Sequence, residues 1–187
     1  KKKATLIWVI GLRALLKKLV DKLNMGRNIS IKEFISETLV EGNEKIFEAG
    51  FTYQAFALET IAIEFLGKIL SGEPLDTPGK SSVNFKNAIE LLFPEEYHQH
   101  KDILYLELRC GMLHFFGPKS KVALGEAEEL GGISHLGFTP TGKLILLFKE
   151  FHRDFKIAVK KLFESEEDAI QDKLGSLFLG VNSSNLI

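Results

Sequence analysis

Only one cysteine, Cys110, occurs in 187 residues. That excludes an intramolecular disulfide and any cysteine-rich zinc site, and it makes a reducing, cytoplasmic compartment the expected setting. No apolar run approaches the roughly 20 residues that a membrane-spanning helix requires. The run from Ala4 to Leu12 is far too short, so no integral membrane segment is expected. Lys1–Lys3 ahead of that run imitate the charged start of a signal peptide, but Arg13 and Lys17-Lys18 follow at once with no cleavage site, and none is expected here. Gly125, Gly131 and Gly132 read as turn glycines rather than a phosphate-cradling loop. A serine elbow and the HExxH pattern are also missing, and no internal repeat or low-complexity stretch occurs. The expectation is therefore no cofactor and no metal.

What is present is the material of a core. The chain is 45% hydrophobic and 26% charged, with fifteen phenylalanines, which suits one well-buried domain with at most a small appendage. The net charge of -1 conceals an asymmetry. Residues 1–32 hold nine basic side chains against Asp21 alone, a balance of +8, and the remaining 15 basic and 24 acidic residues give -9. A basic end on an acidic body suits a nucleic acid or an anionic membrane surface, and equally a helix docked on the acidic remainder.

Apolar spacing predicts mainly helical structure. Thr5 to Asn24 reads as a basic amphipathic helix, with Trp8, Leu12, Leu15, Leu16, Leu19 and Leu23 on one stripe. Ser30 to Glu33 matches a capping box, Ile29 and Phe34 suit a hydrophobic staple, and Gly42-Asn43 is expected to break or kink the helix that follows. Phe51 to Leu70 is apolar around most of its circumference and reads as the central buried helix. The polar loop Gly72 to Lys80 precedes a shorter helix ending at Phe93. Pro94 to Pro118 then reads as one long helix, with Tyr97, Leu104, Leu108, Met112 and Phe115 on its inner stripe. It is expected to run antiparallel to the central helix. Beyond Pro118 the spacing turns strand-like at Val122, Leu124, Ile133, Leu136, Phe138 and Leu144 to Phe148, with Thr139 to Gly142 as turn residues. Helical spacing returns from Glu150 to Phe163 and around Ala169 to Phe178, and the last eight residues read as a frayed tail. The expected layout is residues 1–49 as N-terminal helices and 50–187 as a helical core, with a small β-hairpin or three-stranded flap inserted at about 120–148.

The chemistry concentrates in Arg109 and His114. An arginine offers a fixed cationic fork to a phosphate, and a histidine exchanges protons near neutral pH. Together they suffice to cleave a phosphodiester whose own 2′-hydroxyl is the nucleophile. On a regular helix, however, residues five apart diverge by about 140°. They converge only if the helix bends near Gly111 or if a second copy supplies half of the site. The bland alternative makes Arg109 the ion-pair partner of Glu59, Glu64 or the neighbourhood of Glu107, makes His114 a ligand of helix-end carbonyls near Gly117, and makes Cys110 a small buried apolar side chain. Glu96, His98, His100 and Asp102 read as a solvated helix face rather than a metal cluster.

Arg109-Cys110-Gly111-Met112-Leu113-His114, preceded by LYLELR, by an FPEEY start and by an apolar helix, resembles the Arg-x(4–6)-His motif of the HEPN superfamily over roughly residues 51–164. The resemblance implies a HEPN-like helical bundle that forms a homodimer with two motifs facing each other. It also implies metal-independent endoribonuclease activity in many members, in defence or toxin–antitoxin systems, with RNA as substrate and an antitoxin-like protein as partner. Other members are non-catalytic scaffolds or bind nucleotides. By motif match, Arg109 contacts the scissile phosphate and His114 is the general acid or base. Active members commonly carry a polar residue such as asparagine directly after the arginine, where this chain has Cys110.

Overall fold

The structure, a computed structural model, describes residues 29–178 other than Asp76 and Glu128. The expected basic helix over Thr5 to Asn24 and the tail from Gly180 onward lie outside the described residues. Residues 31–176 form one compact unit. Of the second unit, residues 1–30 with 177–187, the described part is an antiparallel bridge between Ser30 and Leu177, closed by the Phe178 N–H donating to the Ile29 carbonyl at 2.8 Å.

The compact unit is mainly helical. A first helical run comprises α1 (Ile31–Phe34), a wide π-helix over Ile35–Gly42 and α2 (Asn43–Glu48). The break expected at Gly42-Asn43 does not occur, because Gly42 takes ordinary helical angles. The run ends instead before Gly50, whose φ of +83° is the left-handed geometry that glycine tolerates. Helix α3 (Thr52–Leu70) is the central element, and α4 (Ser81–Leu92) packs along it. Gly67 makes their close crossing possible: a Cβ there would stand 1.8 Å from the Asn84 backbone oxygen. Phe93 is extended, as the residue before a proline should be, so α4 stops there.

Within the stretch expected as one long helix, Glu95 to Phe115 is continuously helical but not uniform, and the chain leaves the helix at Phe116, ahead of Pro118. A 3-10 helix over Glu95–His100 leads into α5 (Lys101–Ile103), a π-helix over Leu104–Arg109 and α6 (Cys110–Phe115). The Cys110 N–H donates to the Tyr105 carbonyl, five residues back, which is the signature of the widened turn. Tyr97, Leu104, Leu108 and Met112 are buried as their spacing predicts, whereas Phe115 is exposed. Phe115 is the last helical residue, and the space beside α6 is filled by the returning backbone of residues 117–119, which packs onto Gly111.

The β element differs from the expected hairpin. Strands β1 (Val122–Gly125) and β2 (Leu144–Leu147) pair in parallel, Val122 opposite Leu144. The intervening residues 126–143 form the crossover that a parallel pair requires. The turn at Thr139 to Gly142 brings Phe138 antiparallel to the other edge of β2, a single bridge where a third strand was expected. With neighbours on both edges, all four residues of β2 are buried. Helix α7 (Phe148–Phe163) follows without a linker, and α8 (Asp168–Gly175) closes the unit. The core is aromatic: Phe56, Phe85, Phe148, Phe151 and Phe155 are fully buried, and Phe148 lies between Phe47 at 4.1 Å and Phe56 at 5.1 Å.

Replacing Gly67 with alanine should separate α3 from α4. The expected result is a loss of about 3 kcal/mol in urea-unfolding stability, whereas alanine at Gly117, where a Cβ meets open space, should be nearly neutral.

Candidate functional site

Arg109 is the last residue of the π-helical stretch, and the widened turn aims it at α3. Its Nη2 donates to Glu64 Oε2 at 2.5 Å, with the two side chains only 15% and 23% exposed. Its guanidinium also lies 5.7 Å from the centre of the Tyr105 ring, one turn earlier, a cation–π contact. Arg109 Nε is buried with no hydrogen-bond partner among the described residues. Of the acids expected as partners, Glu64 is the one that Arg109 meets, and the pair ties the motif to the central helix.

His114 is placed differently. It is exposed near the end of α6 and makes no hydrogen bond or ion pair among the described residues, including with the carbonyls near Gly117. Residues 110–115 are regular α-helix, so Gly111 is not a hinge. Its role is steric: a Cβ on Gly111 would meet Gly117 O at 2.7 Å and Lys119 N at 2.9 Å. One copy of the chain therefore does not turn Arg109 and His114 toward one another. Cys110 between them is a half-buried free thiol.

Glu59, five residues before Glu64 on α3, serves a different cluster. Asn43 Nδ2 donates to Glu59 Oε2 at 3.1 Å, and His152 Nδ1 stands 3.3 Å from Glu59 Oε1. All three side chains are buried, and Asn43 Oδ1 and His152 Nε2 have no partner among the described residues. Burial pushes the Glu59 carboxyl up from 4.5 to about 7, against the opposing pull of the His152 bond, the charges of His152 and Lys156, and the Asn43 bond.

A second polar chain was missed by sequence reasoning. The Leu147 N–H donates to His135 Nδ1 at 3.0 Å, which leaves the ring proton on Nε2, 2.6 Å from the Tyr97 hydroxyl. The Tyr97 hydroxyl donates in turn to Asp154 Oδ2 at 2.9 Å, and Arg153 Nε donates to Asp154 Oδ1 at 2.9 Å. Burial holds His135 down at about 4, opposed by the charges of Asp154 and Glu150. Both nitrogens of His135 are engaged, so this chain fastens the crossover segment to the 3-10 turn and α7 rather than presenting a free base. One signal was available: Asp154 falls within the buried stripe of α7, where an acid requires partners.

The predicted solvated face at Glu96 to Asp102 is corrected in one member. Asp102 is exposed and pairs with Lys86 at 2.6 Å, but His100 is buried against the Phe138 ring, and His98 Nε2 lies 3.2 Å from the Phe93 carbonyl oxygen. Among the described residues, no group of three or more His, Cys, Asp or Glu side chains is placed to hold a metal ion, and no helix is long and apolar enough to cross a membrane. No family model, curated protein or solved structure matches the chain.

The Glu59 cluster generates a pH dependence. A carboxyl raised on folding favours the folded state fully below its unfolded value of 4.5, and that contribution is lost as pH rises through about 7. Unfolding free energy should therefore fall by up to about 3 kcal/mol across this window. Glu59→Gln should flatten the profile, as urea midpoints collected at successive pH values would show.

Proposed function

We propose that the chain is a HEPN-like protein that cleaves RNA without a metal, at a composite site formed between two copies. Arg109 would hold the scissile phosphate, and His114 would move a proton. In the step proposed, the 2′-oxygen attacks the adjacent phosphorus and loses its proton to a base. The bond to the 5′-oxygen breaks, that oxygen takes up a proton, and a 2′,3′-cyclic phosphate remains. A histidine suits either proton transfer. The observation that carries the reading is His114 itself: an exposed histidine without a partner among the described residues, about one and a half helical turns beyond an arginine that it does not face. Leu58 and Ile61 on α3 and Leu106 beside Arg109 are exposed apolar side chains close in sequence to the Glu64–Arg109 pair, the kind of surface that a second copy would cover.

A non-catalytic scaffold is the second reading, and the Glu64–Arg109 ion pair favours it because the guanidinium already has an anionic partner. Removing the arginine strands Glu64 at a half-buried position, so Arg109→Ala should lose about 1–3 kcal/mol of stability on either reading. His114→Ala should leave stability unchanged.

The deciding assay is cleavage of a mixed single-stranded RNA in EDTA. Wild type should leave cyclic-phosphate ends, and His114→Ala should be slower by about 100-fold or more. Mixing His114→Ala with Arg109→Ala should restore part of the activity, because a mixed pair retains one intact composite site. Equal cleavage by wild type and His114→Ala, or none by either, would reject the nuclease in favour of the scaffold.

A further inference from the structure

The surface just beyond α6 is poorly matched to water and to its own charges. Phe115 and Phe116 are 70% and 88% exposed, and Phe116 adopts φ +56°, a left-handed conformation that bulky residues avoid. Packing does not account for an aromatic ring held in solvent on such a backbone, and strain of this kind concentrates at functional positions. The turn is also firmly held. The Lys119 N–H donates to the Glu107 carbonyl at 2.8 Å, the Lys121 N–H donates to Glu107 Oε2 at 3.2 Å, and Gly111 admits the returning backbone.

Charge singles out the same place. Lysines elsewhere on this acidic body commonly meet a carboxylate, as Lys86 meets Asp102 and Lys101 meets Glu90. Lys119, Lys121 and Lys143 are exposed and have no carboxylate partner among the described residues. Lys121 and Lys143 immediately precede the paired Val122 and Leu144, and the Leu144 N–H donates to the Lys121 carbonyl at 2.9 Å, so the two lysines stand at the same end of the parallel pair. Like charges in that position repel unless an anion lies between them. The Lys119 ammonium stands 5.9 Å from the Phe115 ring centre, and with Lys143, Pro118 and the half-exposed Tyr53 it borders a cleft of about 460 Å³.

The geometry points to a binding surface for single-stranded nucleic acid, with bases stacked on Phe115 and Phe116 and the phosphate backbone following Lys119, Lys121 and Lys143. Exposed rings beside unmatched cations are what a strand with free bases requires, since every base offers a π-face and every linkage an anion. A duplex hides its bases, and an acidic peptide gives the rings no reason to be bare. His114 directly precedes Phe115, so a strand held here passes His114. The choice of RNA over DNA rests on the function proposed above; the surface itself does not.

Fluorescence anisotropy tests this with the full chain carrying His114→Ala, so that no probe is cleaved. The probes are single-stranded RNA and DNA of about twelve nucleotides, duplex RNA and polyglutamate. Glycine is at ease where Phe116 is strained, so adding Phe116→Gly should keep or raise the melting temperature while weakening single-strand binding about tenfold. Adding Lys121→Ala with Lys143→Ala should flatten the slope of log affinity against log salt by about 1.4. Wild-type affinity in the Phe116→Gly protein, polyglutamate or duplex RNA binding as tightly as single strands, or no single-strand binding at all would overturn the surface. Binding lost in these variants, alongside a wild type that never cleaves, would keep the surface and reject the nuclease. Cleavage by a Phe116→Gly protein that retains His114 at the wild-type rate would do the reverse.

Discussion

A helix of 19 residues that is apolar around most of its circumference must be covered on nearly every side, and that requirement arranges the rest of this protein around α3. Helix α4 lies against it closely enough that only glycine fits at position 67. Helix α7 brings Phe148 and Phe151 against Phe56. The run containing Arg109 covers another side, antiparallel to α3: Glu64 near one end meets Arg109, and Tyr53 at the other borders the same cleft as Gly117 and Pro118. The side that remains bears Leu58 and Ile61.

The two glutamates of α3 show how position decides chemistry within one helix. Glu59 faces inward and is met by an amide and an imidazole rather than by a permanent cation, so its charge is costly and its proton is retained to near neutrality. Glu64 stands at the rim, where a guanidinium reaches it and water still touches both groups. The inner cluster joins the first helical run, α3 and α7; the outer pair fixes the orientation of the motif arginine.

Much of this was legible in the sequence. The bounds of α3 and α4 and the end of α7 follow from apolar spacing and from Pro94, although α7 begins at Phe148, a residue expected in the strand, and Glu64 was among the acids named as partners for Arg109. What was not legible depends on distant contacts. Leu104 to Arg109 carries the same periodicity whether it winds as α or π, because the difference is one hydrogen-bond register fixed by packing. LILL and VALG announce strands, but pairing direction depends on how residues 126–143 route, and that route is secured by His135, Tyr97 and Asp154, far apart in sequence. Gly111 looked like a hinge because a glycine inside a helix leaves open whether it adds freedom or removes bulk. Here it removes bulk.

The wide turn at Leu104–Arg109 also acts as a phase setting. A π-helical turn holds one residue more than the α turn it replaces, so relative to the same residues wound as α-helix throughout, the segment beyond it lags by roughly 100° and falls about 1.5 Å short along the axis. Losing a single exposed residue there, such as Leu106, would return the stretch to α-helical winding with Leu104 and Leu108 still facing the core. His114, the Phe115–Phe116 turn and the first strand would then keep their azimuth around α3, because the α turn left behind spans the same arc as the wide turn it replaces. The wide turn is therefore where a chain of this architecture absorbs a gained or lost residue, leaving both the core and the aim of its distal surface unchanged.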